Sequence, residues 1–347
     1  MSDHGCENVQ LSNAESGGRG KKSSLVTFFM IVTDSCAPIA HYCIRSYRKL
    51  ERCGVSFRLV VYGNCLSPET EALYYPKWKR LGYVDLMDNR AYVSGSPPVA
   101  GATTRTPEGL ERTILGPFEL GGTIWTRELK KFETPYVATV DADFEILDGH
   151  FVVHALSLLE KDSRLAGVST DYSPDNDHFQ NPYMNCEHFL HQRWHAWFCV
   201  YRRECLQGSV SHHVYRYRDS ETGRLRVFDD GALLQDSLLK QGWRFEVLPE
   251  SFFRQYLHYN GFAQNKEITT KNVGIYRRYR VWQRQGLIPI LGFEGGKGRL
   301  NRWWGYLIHE LYVRRFGVVN QRREKFAFLP NGGCMQLNAA EGRKAKR

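Results

Sequence analysis

Two aspartates, Asp141 and Asp143, stand one residue apart at the end of the run Tyr136-Val137-Ala138-Thr139-Val140. Such an apolar, β-branched run reads as a buried strand, and a strand sends the side chains at i and i+2 to one face. Two carboxylates facing one way repel each other unless a cation lies between or beside them. A hard divalent cation that carries phosphate oxygens meets that need; a loop with two solvated acids is the plain alternative. A second acidic pair, Asp229-Asp230, precedes Gly231 and the amphipathic stretch from Ala232 to Gly242, where an aspartate is also a good helix N-cap. His188, His191 and His195 are spaced i, i+3, i+7. His191 and His195 have the separation of a helical zinc pair, but only Glu187 offers a further ligand nearby, and ordinary packing is the simpler reading.

The elements that must position these groups follow from apolar periodicity. Leu25 to Thr33 is a continuous apolar run of strand length. Pro38 opens a helix through Leu50, with Ile39, Cys43, Ile44, Tyr47 and Leu50 on one stripe. Phe57 to Tyr62 is a second strand, Pro68 opens a second helix to about Leu81, and Val84 to Met87 is a third strand. Strand, helix, strand, helix, strand predicts a parallel sheet with right-handed crossovers. Residues 92–117, rich in Gly, Pro, Ser and Thr, read as a long functional or disordered loop. A helix over 115–132 leads into the Asp141 strand, a helix over 150–160 follows it, and Leu165 to Ser169 is a strand. Residues 171–185 read as loop, Trp197 to Tyr201 as a strand, and 212–227 as a basic connector. Leu233, Leu234, Leu238 and Leu239 mark the apolar face of the helix from Ala232 to Gly242, and Trp243 to Leu248 is a strand. In the aromatic and basic tail, Leu300, Trp304, Leu307, Ile308 and Leu311 share a helical face that docks on the main domain or, alternatively, on a membrane surface or an acceptor.

The 347 residues suffice for one large α/β domain with appendages, and 42% hydrophobic content supports a sizeable core. The net charge of +10 suits an anionic partner, whether nucleotide, nucleic acid or membrane surface. Nine cysteines without a Cys-x-x-Cys pair, a polar Met1-to-Lys22 segment and the lack of a span-length apolar run lead us to expect reduced thiols in a cytoplasmic protein without a transmembrane span.

Taken in order, these pieces resemble a glycosyltransferase of the GT-A fold, nearest the large inverting family 2, over about residues 24–265. The first strand ends in Thr33-Asp34, where such enzymes begin to hold the nucleotide. The second ends in Tyr62-Gly63-Asn64, similar to the family's acid or amide beside the base. Val140-Asp141-Ala142-Asp143 looks like its Asp-x-Asp, and Phe198 to Leu206 is similar to the segment on the acceptor side. Asp229-Asp230-Gly231 stands at the catalytic acid, although the commoner pattern is Glu-Asp. His258-Tyr259-Asn260-Gly261 comes last, where many GT-A enzymes supply a histidine to the metal.

The resemblance implies a Rossmann-like, mostly parallel α/β sheet with helices on both faces, plus a helical C-terminal extension. Residues 1–23 are then a disordered leader, 24–265 the catalytic domain (24–148 the nucleotide-sugar half, 149–265 the acceptor half) and 266–347 the extension. It implies transfer of a sugar from a nucleotide-diphosphate donor to an acceptor hydroxyl with inversion. Mn²⁺ or Mg²⁺ would lie on the diphosphate, held by Asp143, with Asp141 on the ribose or in an outer shell and His258 completing the set, which suits Mn²⁺ better. Thr33, Asp34 and Asn64 would contact the nucleotide. Asp229 or Asp230 would be the general base, with Asp229 taken first. Trp194, His195 and Trp197 would form an aromatic wall for the acceptor: a small molecule, a saccharide, a peptide or, given the charge, a nucleic acid. The rival readings are a nucleotidyltransferase of related fold, disfavoured because Val32-Thr33-Asp34-Ser35-Cys36-Ala37-Pro38 lacks a Gly-rich basic loop, and a non-enzymatic nucleic-acid-binding protein.

Overall fold

A computed structural model describes residues 26–89, 103–105, 111–113, 121–174, 176–180, 187–208, 212, 214–221, 223, 225–259, 273–285, 325–328 and 334–337. In chain order the first half contains β1 (Val26–Val32), α1 (Ala37–Ser46), α2 (Arg48–Arg52), β2 (Phe57–Gly63), α3 (Pro68–Lys79) and β3 (Val84–Asp88). It continues with β4 (Thr103–Arg105), β5 (Glu111–Thr113), α4 (Gly121–Glu128), β6 (Tyr136–Asp141) and β7 (Phe144–Ile146). The second half runs through α5 (His150–Lys161), β8 (Leu165–Ser169), β9 (Tyr172–Ser173), β10 (Asn176–Gln180), β11 (Glu187–Leu190), β12 (Arg193–Trp194) and β13 (Phe198–Arg202). Then follow β14 (Tyr215–Arg218), β15 (Leu225–Phe228), α6 (Ala232–Lys240), β16 (Arg244–Val247), β17 (Tyr256–His258), α7 (Val273–Arg284), β18 (Lys325–Phe328) and β19 (Cys334–Leu337).

The central sheet has seven strands in the order β16-β8-β13-β6-β1-β2-β3. All neighbouring pairs are parallel except those of β13, which runs antiparallel to both β6 and β8. This is the Rossmann-like α/β architecture expected from the sequence. Successive side chains of β1 leave on opposite faces: Phe28 and Met30 pack with α1, α3 and α5, whereas Phe29 packs with α4 and α6. Helices thus cover both faces, which is why the strand reads as one unbroken apolar run. Leaving β1, the chain winds outward through β2 and β3, then returns to pair β6 on the other side of β1. That reversal opens a crevice at the carboxyl ends of β1 and β6, where ligands bind in open α/β sheets.

A second, six-stranded sheet, β10-β11-β15-β14-β5-β4, is built from segments with no strong sequence signal. The expected basic connector over 212–227 is in fact the β14–β15 hairpin, and the expected loop over 171–185 contains β9 and β10. Of the helix expected over 115–132, the described part runs Gly121–Glu128 and passes into a 3-10 turn, Leu129–Lys131; residues 115–120 lie outside the described residues. The C-terminal extension is not purely helical, because a β18–β19 hairpin follows α7. The expected leader and the 300–311 helical face lie outside the described residues.

Among the described residues, Cys36, Cys43, Cys53, Cys65, Cys199 and Cys205 are free thiols. No helix there is long and apolar enough to cross a membrane.

Candidate active site

The β1–β6 register sets Ile31 beside Asp141, so Thr33, Asp34 and Asp141 all stand at the crevice. β6 stops at Asp141, and a tight turn carries the chain through Asp143 into β7. β7 pairs antiparallel with β17, setting His258 opposite Phe144, and the Tyr259 N–H donates to the Asp143 carbonyl at 3.1 Å. The turn, rather than a common strand face, brings the carboxylates together. His258 Nε2 lies 3.2 Å from Asp141 Oδ2 and 3.1 Å from Asp143 Oδ1, and one ligand atom from each residue falls within 4.8 Å of the others. Asp141 is 41% exposed, whereas Asp143 and His258 are 10% and 12% exposed.

Burial pulls the His258 imidazole toward neutrality, but Asp143 and then Asp141 outweigh it and push the pKa up to about 9. A charge of this sign is what the paired carboxylates require. A proton on His258 supplies it in part, and a divalent cation would supply it in full. The donor set fits such an ion: two hard oxygens and one imidazole nitrogen suit Mn²⁺ or Mg²⁺, with nitrogen favouring Mn²⁺. His258 Nδ1 is buried without a hydrogen-bond partner, so no second bond fixes the tautomer and Nε2 is the nitrogen turned to the carboxylates. One other group among the described residues, Cys53, Asp148 and His150, has similar spacing. There Asp148 Oδ1 already accepts from the His150 backbone N–H and contacts its ring nitrogen at 2.6 Å, so a local turn at the start of α5 accounts for it.

The two adjacent aspartates face different surroundings. β15 runs directly into Asp229, whose Oδ2 is ion-paired with Arg193 and whose Oδ1 accepts from the Asp230 N–H at 2.8 Å. Asp230 Oδ1 is buried without a hydrogen-bond partner. Burial raises the Asp230 pKa above the usual carboxylate range; Asp229 and Asp141 add to this, and Arg193 and the Gly122 backbone oppose it. Asp230 Oδ2 and the side chain of Ile31, the β1 partner of Asp141, both lie against Gly121, which sets Asp230 near the Asp141 end of the sheet. Neither side chain caps α6, because Gly231 holds that position with φ +82°, a left-handed conformation that favours glycine.

α4 approaches this carboxylate through glycine. A Cβ on Gly122 would stand 2.6 Å from Asp230 Oδ1 and would also collide with the His212 carbonyl oxygen. Gly121 sits 3.9 Å from both Asp230 Oδ2 and Ile31 Cδ1, measured from the same Cβ position. Arg193, which pairs with Asp229, and Gly122, which lies against Asp230, are neighbours of these acids that the sequence alone did not single out. Arg193 is 36 residues from Asp229 in the chain, and only the fold joins them.

The expected nucleotide contacts have local tasks of their own. Asp34 accepts from the Ser67 N–H at 3.0 Å, and Ser67 is the N-cap of α3, so the loops after β1 and β2 are tied together. Thr33 Oγ1 lies 3.1 Å from Ser35 Oγ. Asn64 is buried and accepts from Asn89 Nδ2 at 2.7 Å.

The aromatic group divides. Trp197 stacks on His195 at 3.6 Å and stands 4.8 Å from His258, and its carbonyl accepts from the Asp141 N–H at 2.9 Å. Trp194 instead packs on Tyr172 and Phe245, with its peptide clamped on both sides by the Gln235 amide, at 2.9 and 2.7 Å. His195 is buried against Ser173 Oγ at 2.6 Å, and burial holds its pKa well below the ordinary value. The zinc spacing of His191 and His195 depends on a helix, and the chain is extended here, so the packing alternative holds: His191 pairs with Asp236 at 3.3 Å while His195 lies in the core. His188 lies on β11.

No family model and no curated protein sequence matches the chain. Among solved structures it is similar to a mannosyltransferase, PcManGT, from Pyrobaculum calidifontis in complex with GDP-Man and Mn²⁺, at 12% identity over 83% of this chain and 69% of that one, with a TM-score of 0.41. It is also similar to glucosyl-3-phosphoglycerate synthase from Mycobacterium tuberculosis, in complex with Mn²⁺ and UDP-glucose (12% identity, 91% and 87% of the chains, TM-score 0.38) and with Mg²⁺ and UDP (12%, 78% and 82%, TM-score 0.39). At that level of likeness, neither neighbour's donor nor its acceptor transfers to this chain.

Proposed function

We propose that the chain is a metal-dependent glycosyltransferase that moves a sugar from a nucleoside-diphosphate donor to an acceptor hydroxyl. The observation that carries this reading is the Asp141, Asp143 and His258 cluster at the crevice of the sheet, with Asp230 and its one buried oxygen near the Asp141 end of that sheet. Asp143 and His258 are the proposed inner ligands, and the more exposed Asp141 is free to serve the same ion or the ribose. A divalent ion bound there would stabilise the negative charge that develops on the departing diphosphate.

On the acceptor side, Asp230 is a better base than Asp229. A base must accept a proton, and Asp229 already spends its charge on Arg193. Asp230 presents a buried oxygen with no donor and a raised pKa, the condition under which a carboxylate works near neutral pH. Arg193 then has two roles: it neutralises Asp229 and moderates the Asp230 shift. With the base and the leaving diphosphate on opposite sides of the sugar, direct displacement inverts the anomeric centre. Trp197, beside His258, offers an apolar ring face for a sugar or acceptor.

Incubation with a panel of nucleotide-sugars and Mn²⁺, reading release of nucleoside diphosphate, tests the reaction. Turnover of at least one donor that stops with EDTA and with Asp230→Asn is the expected result. Turnover that survives EDTA, or Asp230→Asn at the wild-type rate, contradicts the reading.

A further inference from the structure

The cluster rests on very little secondary structure. β7 and β17 are three residues each and pair only with one another, and a two-stranded pair is marginal on its own. Asp143 directly precedes β7 and His258 ends β17. Whatever fixes the two strands fixes the ligands.

Glu145 occupies the centre of this pair, opposite Leu257, and its side chain is wholly buried. Its Oε2 accepts from the Tyr259 hydroxyl at 2.7 Å, so one carboxylate ties β7 to the residue next to His258. The same Oε2 accepts from Arg277 Nε at 2.7 Å, and Oε1 accepts from Arg277 Nη2. A two-pronged guanidinium–carboxylate pair fixes orientation as well as charge. Arg277 lies on α7, 132 residues further along the chain and beyond the elements that form the central sheet.

α7 is seated rather than loosely apposed. Val273 is buried. A Cβ on Gly274 would stand 2.9 Å from the Tyr42 hydroxyl. The Arg277 guanidinium lies 5.2 Å from the Tyr42 ring, and that of Arg284 lies 3.6 Å from the Phe253 ring. Lys49 adds a separate hold, donating to the Ile146 carbonyl at 2.7 Å, but it does not reach the carboxylate. A purely structural account would have Arg277 only anchor α7. Two features go beyond it: the partner lies two residues from Asp143, and that partner also grips the neighbour of His258.

We infer that Arg277 is a positioning residue for the metal site, holding Glu145 so that the β7–β17 pair presents Asp143 and His258 to one ion. This couples seating of α7 to metal affinity. It rests on the metal reading given above.

Mn²⁺ binding to the full chain, followed by electron paramagnetic resonance or calorimetry, separates the two claims. Arg277→Met should weaken Mn²⁺ binding tenfold or more in protein that is folded by circular dichroism. Glu145→Gln combined with Arg277→Met leaves no lone buried carboxylate and should still bind at least threefold more weakly than wild type, because the fork that holds the pair is missing; full recovery would assign the loss to the unpaired charge and overturn the inference. Should Arg277→Met fail to fold, Arg277→Lys keeps the charge and loses the fork, and should weaken binding at least threefold. Wild-type affinity in folded Arg277→Met, or in Arg277→Lys, overturns the inference while leaving the metal site standing. A wild-type chain that binds no Mn²⁺ overturns both.

Discussion

Adjacent aspartates with the same side chain can be given opposite work by their neighbours. Asp229 is ion-paired with Arg193, whereas Asp230 keeps one buried oxygen, Oδ1, without a hydrogen-bond partner. We expect Asp230→Asn to lower kcat by about 10²–10⁴-fold, the usual contribution of a positioned base, with Mn²⁺ affinity little changed. Asp229→Asn should cost less. As the proposed base, Asp230 would act in its ionised form, and its pKa is raised above the usual carboxylate range, so kcat should rise with pH on that raised limb. Arg193→Met removes the opposing charge and should move that limb to higher pH, as a pH–rate profile would register.

His258 gives a second dependence, of opposite sign in the two metal states. Its pKa of about 9 exceeds the unfolded value of about 6.5. The metal-free protein therefore holds this stabilisation in full below about pH 6.5 and loses it as pH rises through about 9. Metal requires the neutral imidazole, so Mn²⁺ affinity should grow with pH over the same window, by up to about tenfold per unit. Melting in EDTA and in Mn²⁺ across pH 6.5 to 9 checks both directions. A parallel pH dependence in the two conditions counts against the cluster.

At the scale of elements, two contacts fix the base side of the cleft. The Gln235 amide bonds both faces of the Trp194 peptide and joins α6 to β12. Gln235→Leu leaves buried peptide groups without partners and should destabilise the fold by about 1–3 kcal/mol, read by denaturant titration. Gly122→Ala forces α4 away from Asp230 and the His212 carbonyl. Overpacking of this kind costs about 1–3 kcal/mol, and kcat should fall with it.

How readily each element could be read from sequence follows from its packing. β1, β2, β6 and β8 are covered on both faces, so their apolar runs announce them. The second sheet hides its strands under charge. Tyr215-Arg216-Tyr217-Arg218 alternates with period two, as a half-buried strand does, but four arginines between 216 and 226 read as a basic connector. The i, i+4 spacing of His191 and His195 carries no metal meaning on an extended chain, in line with the packing reading. The Asp141 and Asp143 pair was legible because it ends a buried strand. Arg193 and Arg277 were not, because each acts across dozens of residues on a partner that only the tertiary fold supplies.

At the scale of the whole molecule, one sheet reversal gathers groups drawn from residues 33 to 258. β1 brings Thr33 and Asp34, β6 brings Asp141, the β7–β17 pair brings Asp143 and His258, and β15 delivers Asp230. The surplus of positive charge, +10 overall, favours approach of an anionic donor. The central claim is that this crevice binds a nucleoside diphosphate through a divalent ion. It is tested most directly by calorimetric titration of UDP and GDP into the wild-type chain and into Asp143→Ala, each with Mn²⁺ and with EDTA. One nucleotide should bind the wild type tightly with Mn²⁺ and at least tenfold more weakly in EDTA, and Asp143→Ala should show the weaker affinity in both. Equal affinity with and without Mn²⁺, or Asp143→Ala binding as wild type does in Mn²⁺, would contradict the account.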